Sequence, residues 1–452
     1  MRLHIIGICG TIMGSLGVLA KQLGHTVTGQ DQDVYPPMST QLEAQGLTLI
    51  PGYEIKDLEA CQPDLIIIGN VASRGWPIVE HILNRNLPYI SGAQWLYEAI
   101  LKNRHTLAVS GTHGKTTTTT MLTTILRHSG LATGYFIGGV PQALPASADL
   151  GHTHFVLEAD EYDTAFFDKR AKLVHYHPRT LIINNLEYDH ADIYPDVASI
   201  QRQFHHLVRT IPGEGRIIVP AQDPGVAGAL ALGCWTPTVT FGLGGAWTAR
   251  KIKDDGSAFA VYLQGQKVGE IVWGMLGDHN VNNALAALAA AEHVGIAPAQ
   301  GCAALTGFQG VKRRLEVRGV VNNITVYDDF AHHPTAIRTT LEGLRHRLPH
   351  SRIIAVLEPR SASMKMGAFK DSLAASFGVA DHVVLYQSPE VKWDLSHLTT
   401  QLGSRAQCLT SIPAVIAAIV QQAQAGDQVV LMSNGGFGGI YAALLEALAA
   451  QP

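Results

Sequence analysis

The chain has 452 residues, of which 46% are hydrophobic and 15% are charged, and that length suggests roughly two to four domains, each with its own core. The formal net charge is −4 and no long basic run occurs, so a nucleic-acid partner is not expected. The five cysteines are scattered without a CxxC pair, and no apolar run approaches the ~18 residues of a membrane span. We therefore expect a cytoplasmic protein with no disulfide framework, no zinc site and no membrane partner.

The first hundred residues have the pattern of a nucleotide-binding sheet. LHIIGI (3–8) is typical of a buried strand, CGTIMG (9–14) of a glycine turn and SLGVLAKQLG (15–24) of a helix. The strands TVTGQD (26–31) and PDLIIIGN (63–70) follow. Short apolar runs between helical patterns predict a doubly wound parallel sheet.

The strongest local motif is GTHGKTT (111–117), which lies between the strand HTLAVS (105–110) and a helical run. A phosphate chain requires inward-pointing backbone N–H groups, small residues and a helix N-terminus. The glycines permit close approach, Lys115 can reach the β- and γ-phosphates, and the Thr116 hydroxyl can hold magnesium. The GxxGKT spacing is two residues shorter than that of the usual phosphate loop. A chance glycine turn is the alternative, against which the preceding strand and the following helix argue. The predicted nucleotide-binding residues here are Gly111, Thr112, His113, Gly114, Lys115, Thr116 and Thr117.

Two acidic segments follow strands of the same unit. EADEYD (158–163) comes after HFVL, and a carboxylate at that position can complete a metal shell beside the phosphate loop. NNLEYDHAD (184–192) places His190 among carboxylates, where it can bind a second metal or orient a substrate carboxylate. Taken alone, an acidic surface turn and a structural histidine are the commoner explanations.

The remaining sequence alternates strand and helix patterns. Short alternating strands occupy residues 236–275, and NNALAALAAAEHVG (282–295) is helical. After VKRRLEVRG (311–319), further apolar strands are separated by helical stretches, as in ITVYDDF (324–330), and this pattern predicts another α/β sheet. The chain is therefore predicted to be an α/β protein of three domains, 1–103, 104–315 and 316–452.

These motifs, in this order, resemble those of the Mur ligase family of peptidoglycan synthesis, which also includes folylpolyglutamate synthetase. GDHNVNNALAA (277–287) resembles the family's adenine-site segment, VKRRLEV (311–317) its arginine before the third domain, and DDFAHHP (328–334) the start of that domain. The resemblance extends over essentially the whole chain. It implies a Rossmann-like UDP-binding domain, a central P-loop ATPase-like domain and a C-terminal Rossmann-like domain.

The resemblance also implies ATP and Mg²⁺ as cofactors and gives roles to single residues. Lys115 would stabilise the transferring phosphoryl group, and Thr116 and Glu158 would bind a first magnesium ion. His190 would bind a second ion near a muramoyl carboxylate. The implied nucleotide contacts are Asn280, Asn283, Arg314 and Asp329, and the implied substrate-orienting residues are His332 and His333. Without the family, a helix N-cap is the alternative for Asn280, and a histidine pair is more often a surface or structural feature.

The turn GICGTIMG (7–14) resembles the family's turn for the UDP diphosphate. It departs from the dinucleotide pattern GxGxxG, although a nicotinamide-binding Rossmann site remains the alternative. The UDP-binding residues that the resemblance implies are Gly7, Gly10, Thr11, Gly14 and Asp31.

Within the family, four segments favour the branch that adds a peptide to UDP-N-acetylmuramate over the branch that adds L-alanine. They are DVYPPMST (33–40), EADEYDTAFFDKRAKLVHYHPRT (158–180), LEPRSASMKMG (357–367) and MSNGGFGGI (432–440). The implied reaction joins UDP-N-acetylmuramate to the murein tripeptide L-alanyl-γ-D-glutamyl-meso-diaminopimelate in peptidoglycan recycling, by a monomer or weak homo-oligomer.

The peptide substrate carries several carboxylates, so its pocket needs cationic groups. Arg360 follows a predicted strand of the third domain and offers a planar fork suited to a carboxylate. SNGG (433–436) follows another strand and offers side-chain and backbone donors. Two ordinary strand-end turns are the alternative.

Three other functions compete with this interpretation. Addition of L-alanine is the nearest of them. Folylpolyglutamate synthetase would share the nucleotide site but lacks a UDP-binding domain, which argues against it. A nucleotide-binding regulator without ligase activity would not need the intact set of Lys115, Thr116, Glu158 and His190.

Overall fold

A computed structural model of the chain describes residues 1–32, 34 and 38–450. It contains three sheets of five, ten and six strands, which follow one another along the sequence. The prediction of three α/β units is thereby confirmed. Residues 33 and 35–37 of the segment 33–40, used above to choose a branch of the family, lie outside the described residues. Among the residues that are described, no helix combines the length and apolarity needed to cross a bilayer.

The first sheet is entirely parallel, in the order β3-β2-β1-β4-β5. Its elements are β1 Arg2–Ile6, α1 Thr11–Gln22, β2 Thr26–Asp31, α2 Met38–Ala44, β3 Thr48–Pro51, α3 Ile55–Cys61, β4 Leu65–Ile68, α4 Pro77–Asn84, β5 Tyr89–Ser91 and α5 Gly92–Ala99. The first helix begins at Thr11, four residues earlier than the predicted start at Ser15. Gly14 therefore lies inside a helix, where a Cβ would meet the Ile8 carbonyl and the Leu42 side chain at 3.1 Å.

The second sheet has the order β15-β14-β13-β12-β11-β10-β6-β9-β7-β8. Its elements are β6 His105–Ser110, α6 Lys115–His128, β7 Gly134–Phe136, β8 Ala148–Asp149, β9 His154–Glu158, β10 Thr180–Ile183, α7 Val197–Val208, β11 Arg216–Pro220, α8 Pro224–Ala231, β12 Thr238–Phe241, β13 Trp247–Lys251, β14 Ala258–Leu263, β15 Gln266–Val272, α9 Asp278–His293 and α10 Pro298–Leu305. Strand β6 pairs in parallel with β9 on one side and with β10 on the other. The loops that leave these three strands therefore meet at one edge of the sheet.

The third sheet has the order β16-β17-β21-β18-β19-β20, with an antiparallel edge strand. Its elements are β16 Glu316–Val321, β17 Ile324–Asp329, α11 Pro334–Arg347, β18 Ile353–Leu357, α12 Ala362–Met366, β19 His382–Tyr386, α13 Ser396–Leu402, β20 Ala406–Leu409, α14 Ile412–Gln422, β21 Gln428–Met432 and α15 Ile440–Ala449. Leu357 pairs with Met432 at the carboxyl ends of β18 and β21, so the loops that follow these strands lie side by side.

Helix α6 forms although its sequence, KTTTTTMLTTILRH, is rich in β-branched threonine, a residue of modest helix propensity. Four of its threonine hydroxyls donate at 2.8 Å to the carbonyl four residues earlier, which satisfies polar groups that would otherwise be buried unpaired. The run of small buried alanines in α9 lies in the same core as Met121, Leu122 and Ile125 of α6. Tertiary packing therefore fixes the helix whose first turn carries the phosphate loop.

Candidate functional site

The loop between β6 and α6 depends on two glycines. Gly111 and Gly114 have φ of 125° and 80°, which L side chains rarely adopt. A Cβ on Gly114 would lie 2.6 Å from the side-chain oxygen of Asn283, and one on Gly111 would lie 2.9 Å from the Asn185 carbonyl. No side chain caps the first turn of α6, so its N–H groups are available to an anion. This arrangement fits a phosphate chain.

Lys115 is held by carboxylates at this edge of the sheet. Its Nζ donates at 2.8 Å to Glu161 and at 2.8 Å to the Gly111 carbonyl, and lies 3.5 Å from Asp160. Burial alone would lower the pKa of Lys115, but Glu161 and Asp160 raise it above its ordinary value. The lysine is therefore a permanent cation at the start of α6, where phosphoryl oxygens would compete with the two carboxylates.

Thr116 and Glu158 lie together, as predicted for two ligands of one ion. The Thr116 hydroxyl donates to Glu158 Oε2 at 3.2 Å, and the Gly138 N–H donates to Glu158 Oε1 at 2.7 Å. Burial raises the pKa of Glu158, against the opposing effects of the Gly138 N–H and the Lys115 charge. A hydroxyl and a carboxylate beside a phosphate loop are oxygen donors of the kind that Mg²⁺ prefers.

His190 joins the same cluster through Glu161. Its Nε2 lies 3.1 Å from Glu161 Oε1, and one ligand atom from each of Asp160, Glu161 and His190 falls within 4.8 Å of the others. Burial opposes protonation of His190, but the hydrogen bond to Glu161 raises its pKa. The backbone of His190 has a φ of 54°, which is uncommon for a residue with a side chain.

Sequence reasoning missed Glu161, although the quoted segment EADEYD contains it. Its side chain is 2% exposed and contacts both Lys115 and His190. The local signal was present as a second glutamate in the segment, but it did not show which carboxylate reaches the lysine.

The two asparagines predicted to hold adenine lie on α9 behind the phosphate loop. Asn283 Nδ2 donates to Asn280 Oδ1 at 3.3 Å, and Asn184 Nδ2 donates to Asn283 Oδ1 at 3.3 Å. Both α9 asparagines are buried. The N-cap of α9 is Gly277, so the alternative that Asn280 caps the helix is wrong. The Asn283 side chain lies against Gly114, so α9 helps to fix the conformation of the phosphate loop.

Arg314 and Asp329 lie at the junction of the second and third sheets. Asp329 accepts from the backbone N–H of Leu315 at 2.7 Å and of Ala331 at 2.8 Å, and burial raises its pKa. Both of its oxygens therefore organise the junction backbone. The Arg314 guanidinium lies 5.0 Å from the centre of the Phe330 ring, and its contact with a nucleotide stays a prediction.

The predicted histidine pair separates into two environments. His333 Nδ1 lies 3.5 Å from Glu187, which also bonds His113 of the phosphate loop at 2.8 Å. His332 instead directs Nδ1 to the Phe330 carbonyl at 2.8 Å, and burial lowers its pKa. His333 thus links the third unit to the phosphate loop, whereas His332 is a neutral imidazole near Asp189.

A cavity of about 690 Å³ lies between the first sheet and the second unit. The predicted residues that line it are Gly7, Gly10, Thr11 and Asp31. Gly14 does not line it, because it packs against Leu42. Asp31 accepts from the Cys9 N–H at 2.8 Å and so shapes the glycine turn. Residues of the second unit that sequence reasoning did not assign complete the wall, namely Phe136, Thr164, Lys172 and Tyr176.

Arg360 lies exposed across the loop after β21, at the edge predicted to receive the amine substrate. A Cβ on Gly435 would lie 2.3 Å from Arg360 Cδ and Nε, so a side chain at position 435 would displace the Arg360 side chain from its place over this loop. Ser433 is not free to bind a substrate, because it is buried and its hydroxyl donates to the Glu358 carboxylate. The Gly435 N–H donates to Ser433 Oγ at 2.9 Å, which fixes the loop beneath Arg360.

Known protein families and relatives match nearly the whole length of the chain. Three domain models match: the Mur ligase family catalytic domain at residues 2–104, the Mur ligase middle domain at 109–291 and the glutamate ligase domain at 313–435. The UDP-N-acetylmuramate–L-alanyl-γ-D-glutamyl-meso-2,6-diaminoheptandioate ligase of Escherichia coli K12 is 54% identical over 99% of this chain and 98% of its own.

A crystal structure of a murein peptide ligase from Psychrobacter arcticus 273-4 superposes with a TM-score of 0.77 at 48% identity, covering 100% of this chain and 99% of that one. The UDP-N-acetylmuramate–L-alanine ligase of Rubrobacter xylanophilus is 32% identical over 85% of this chain and 83% of its own. The similarity is therefore greater to a relative named for the tripeptide than to this relative named for L-alanine.

Proposed function

Because the chain belongs to the Mur ligase family and is a ligase, we propose that it uses ATP and Mg²⁺ to join UDP-N-acetylmuramate to L-alanyl-γ-D-glutamyl-meso-diaminopimelate. The observation that carries this proposal is the 54% identity, over 99% of the chain, to the Escherichia coli enzyme named for that tripeptide. The relative named for L-alanine reaches 32%. Cytoplasmic location, the domain boundaries and a monomeric or weakly oligomeric state stay predictions.

The chemistry requires activation of a carboxylate, which is a poor electrophile at neutral pH. Transfer of the γ-phosphoryl group of ATP to the muramoyl carboxylate would give an acyl phosphate and ADP. Attack by the peptide amine would then give a tetrahedral intermediate, which collapses to the amide with release of inorganic phosphate and of the amine's proton. The protein's task is to position the reactants and to neutralise negative charge.

The edge of the second sheet offers the groups for that task. The uncapped first turn of α6 and Lys115 would hold the β- and γ-phosphates. Thr116 and Glu158 would provide oxygen ligands to one Mg²⁺, and the cluster of Glu161 and His190 would provide ligands to a second. All of these groups lie at the carboxyl ends of β6, β9 and β10 or in the segments that follow these strands, so a carboxylate placed at this edge would face the γ-phosphate.

The other two sheets would supply the two substrates. The cavity lined by Gly7, Gly10 and Thr11 would hold the UDP moiety, and its wall on the second unit would bring the sugar toward the phosphate loop. Arg360, at the carboxyl edge of the third sheet, would bind a carboxylate of the tripeptide. The contact of His333 with Glu187 joins that sheet to the phosphate loop.

Replacement of Arg360 by alanine tests the assignment of the peptide site. We expect KM for the tripeptide to rise about tenfold or more, because a hydrogen bond between charged groups contributes about 1.5–3 kcal/mol. Binding of UDP-N-acetylmuramate, measured by calorimetry, should stay unchanged. Arg338→Ala, at an exposed arginine of α11, is the matched control. An unaltered tripeptide KM in Arg360→Ala would remove Arg360 from the peptide site.

A further inference from the structure

The segment between β9 and β10 continues beyond the acidic run EADEYD. Sequence reasoning used this later part only to choose a branch of the family, but one of its lysines, Lys172, lines the cavity. Lys172 begins a short 3-10 helix, Lys172–His175. Its backbone N–H donates to the Tyr162 carbonyl at 2.9 Å, and the next N–H donates to the Asp160 carbonyl at 3.1 Å. Earlier in the segment, Arg170 pairs with Asp168 at 2.6 Å. The backbone that carries Lys172 is therefore held in place.

The side chain of Lys172 is 14% exposed and lines the cavity. Its Nζ lies 3.4 Å from Asp160 Oδ2 and 5.4 Å from the centre of the Tyr162 ring. Asp160 is shared with Lys115, whose Nζ lies 3.5 Å from the other carboxylate oxygen. Since an ammonium group has three N–H donors, Lys172 retains capacity for an anionic ligand.

The cationic side chain of the cavity lies on the wall of the second unit, and Asp31, the acidic residue among the described lining residues, accepts from the Cys9 N–H at the glycine turn. Among the described residues that line the cavity, Lys172 is the sole lysine or arginine. The facing wall is the glycine turn and the first turn of α1, whose N-cap, Gly10, provides no side-chain cap. That wall therefore presents backbone N–H groups and the positive end of a 12-residue helix, and these groups attract anions.

The wall formed by the glycine turn is tightly packed. Gly7 has a φ of 83°, and a Cβ there would lie 2.7 Å from Val71 Cγ1. A ligand with two adjacent negative charges would be bound from one side by the helix end and from the other by the lysine. A diphosphate has this chemistry.

We propose that Lys172 binds the diphosphate of the UDP-linked substrate, opposite the first turn of α1, so that this substrate clamps the first sheet to the second unit. The inference rests on the proposed function for the identity of the substrate. It goes beyond that function by assigning the diphosphate contact to a residue outside the glycine turn, on the segment that also carries Asp160.

The test is calorimetric titration of the full chain with UDP, in the absence of ATP and Mg²⁺, for wild type, Lys172→Met and Lys172→Arg. We expect Lys172→Met to bind UDP at least about tenfold more weakly, and Lys172→Arg to recover most of the affinity. The matched control is Lys169→Met. Lys169 is 62% exposed and pairs with Asp163 at 2.6 Å, and it does not line the cavity, so its variant should bind UDP as wild type does.

The same variants distinguish this role from neighbouring ones. A structural role in holding Asp160 would weaken binding of an ATP analogue with Mg²⁺ and leave UDP binding unchanged, and that result would overturn the inference. A loss confined to UDP-N-acetylmuramate, with UDP unaffected, would place the lysine on the lactyl carboxylate and would also overturn it. If wild type binds neither UDP nor UDP-N-acetylmuramate, the proposed function itself fails.

Discussion

Replacement of Lys115 by alanine is expected to lower kcat at least about 10³-fold, the lower range for a charge contact made in the transition state of phosphoryl transfer. The ammonium group lies at the start of α6, 2.8 Å from Glu161, where transferring phosphoryl oxygens would gather charge. The measurement is ADP release that depends on both UDP-N-acetylmuramate and tripeptide, at saturating ATP.

The variant also removes the cation that Glu161 and Asp160 share, although Glu161 keeps His190 and Asp160 keeps Lys172 as partners, and the loss of part of the compensating charge around buried carboxylates destabilises a fold. Thermal unfolding should therefore accompany the assay, and Lys115→Met, which keeps the alkyl stem, provides a second variant. Lys56→Ala, at an exposed position of α3, is the control. Turnover near the wild-type value in a folded Lys115→Ala protein would exclude this ATP site.

Replacement of Glu158 by glutamine is expected to lower activity sharply and to raise the Mg²⁺ concentration at half-maximal rate about tenfold or more. The amide keeps the shape of the side chain and can still accept from Gly138, but it lacks the charge that attracts the ion. The expected shift corresponds to a loss of at least ~1.4 kcal/mol in the binding of Mg²⁺. The measurement is a Mg²⁺ titration of the rate at saturating substrates.

Glu98→Gln, at an exposed glutamate of α5, is the control for this variant. If the Mg²⁺ titration of Glu158→Gln coincides with that of wild type, Glu158 is not a ligand and the first ion must be held elsewhere. A lower maximal rate with an unchanged Mg²⁺ dependence would likewise assign Glu158 to the ordering of Gly138 and Thr116.

The phosphate loop was the part of the site that local sequence could predict. A phosphate loop needs glycines, a lysine and a hydroxyl at fixed spacing between a strand and a helix, and all of these are neighbours along the chain. The structure adds why each glycine is required, since Asn283 and Asn185 occupy the space that a Cβ would take. Asn185 lies just after β10 and Asn283 lies in α9. Both are far from the phosphate loop in sequence, so no local pattern shows that they limit the space at these glycines.

Glu161 and Lys172 could not be chosen by the same reasoning. Glu161 is one of several acids in its segment, and only the parallel pairing of β6 with β9 shows that it reaches Lys115. Lys172 lies in a segment whose hydrophobic residues have no clear helix or strand periodicity. Its proposed role depends on the first sheet, which forms the opposite wall of the cavity. Both residues act across elements that are far apart in sequence.

At Ser433 and at the start of α1, a plausible local signal led to the opposite error, since it predicted a role that the structure does not support. Ser433 follows a strand and has a hydroxyl, yet that hydroxyl donates a hydrogen bond to the buried Glu358 carboxylate, so it supports the loop and not a substrate. The sequence predicts a glycine turn that extends to Gly14, whereas the helix begins at Thr11 and Gly14 packs inside it against Leu42.

The choice of amine is the central claim, and a competition assay tests it most directly. Purified protein is supplied with UDP-N-acetylmuramate, ATP, Mg²⁺ and equal concentrations of L-alanine and L-alanyl-γ-D-glutamyl-meso-diaminopimelate, and the UDP-linked products are identified by mass. The account predicts that the tripeptide product exceeds the L-alanine product by a wide margin. Faster formation of the L-alanine product would contradict the account and assign the chain to L-alanine addition.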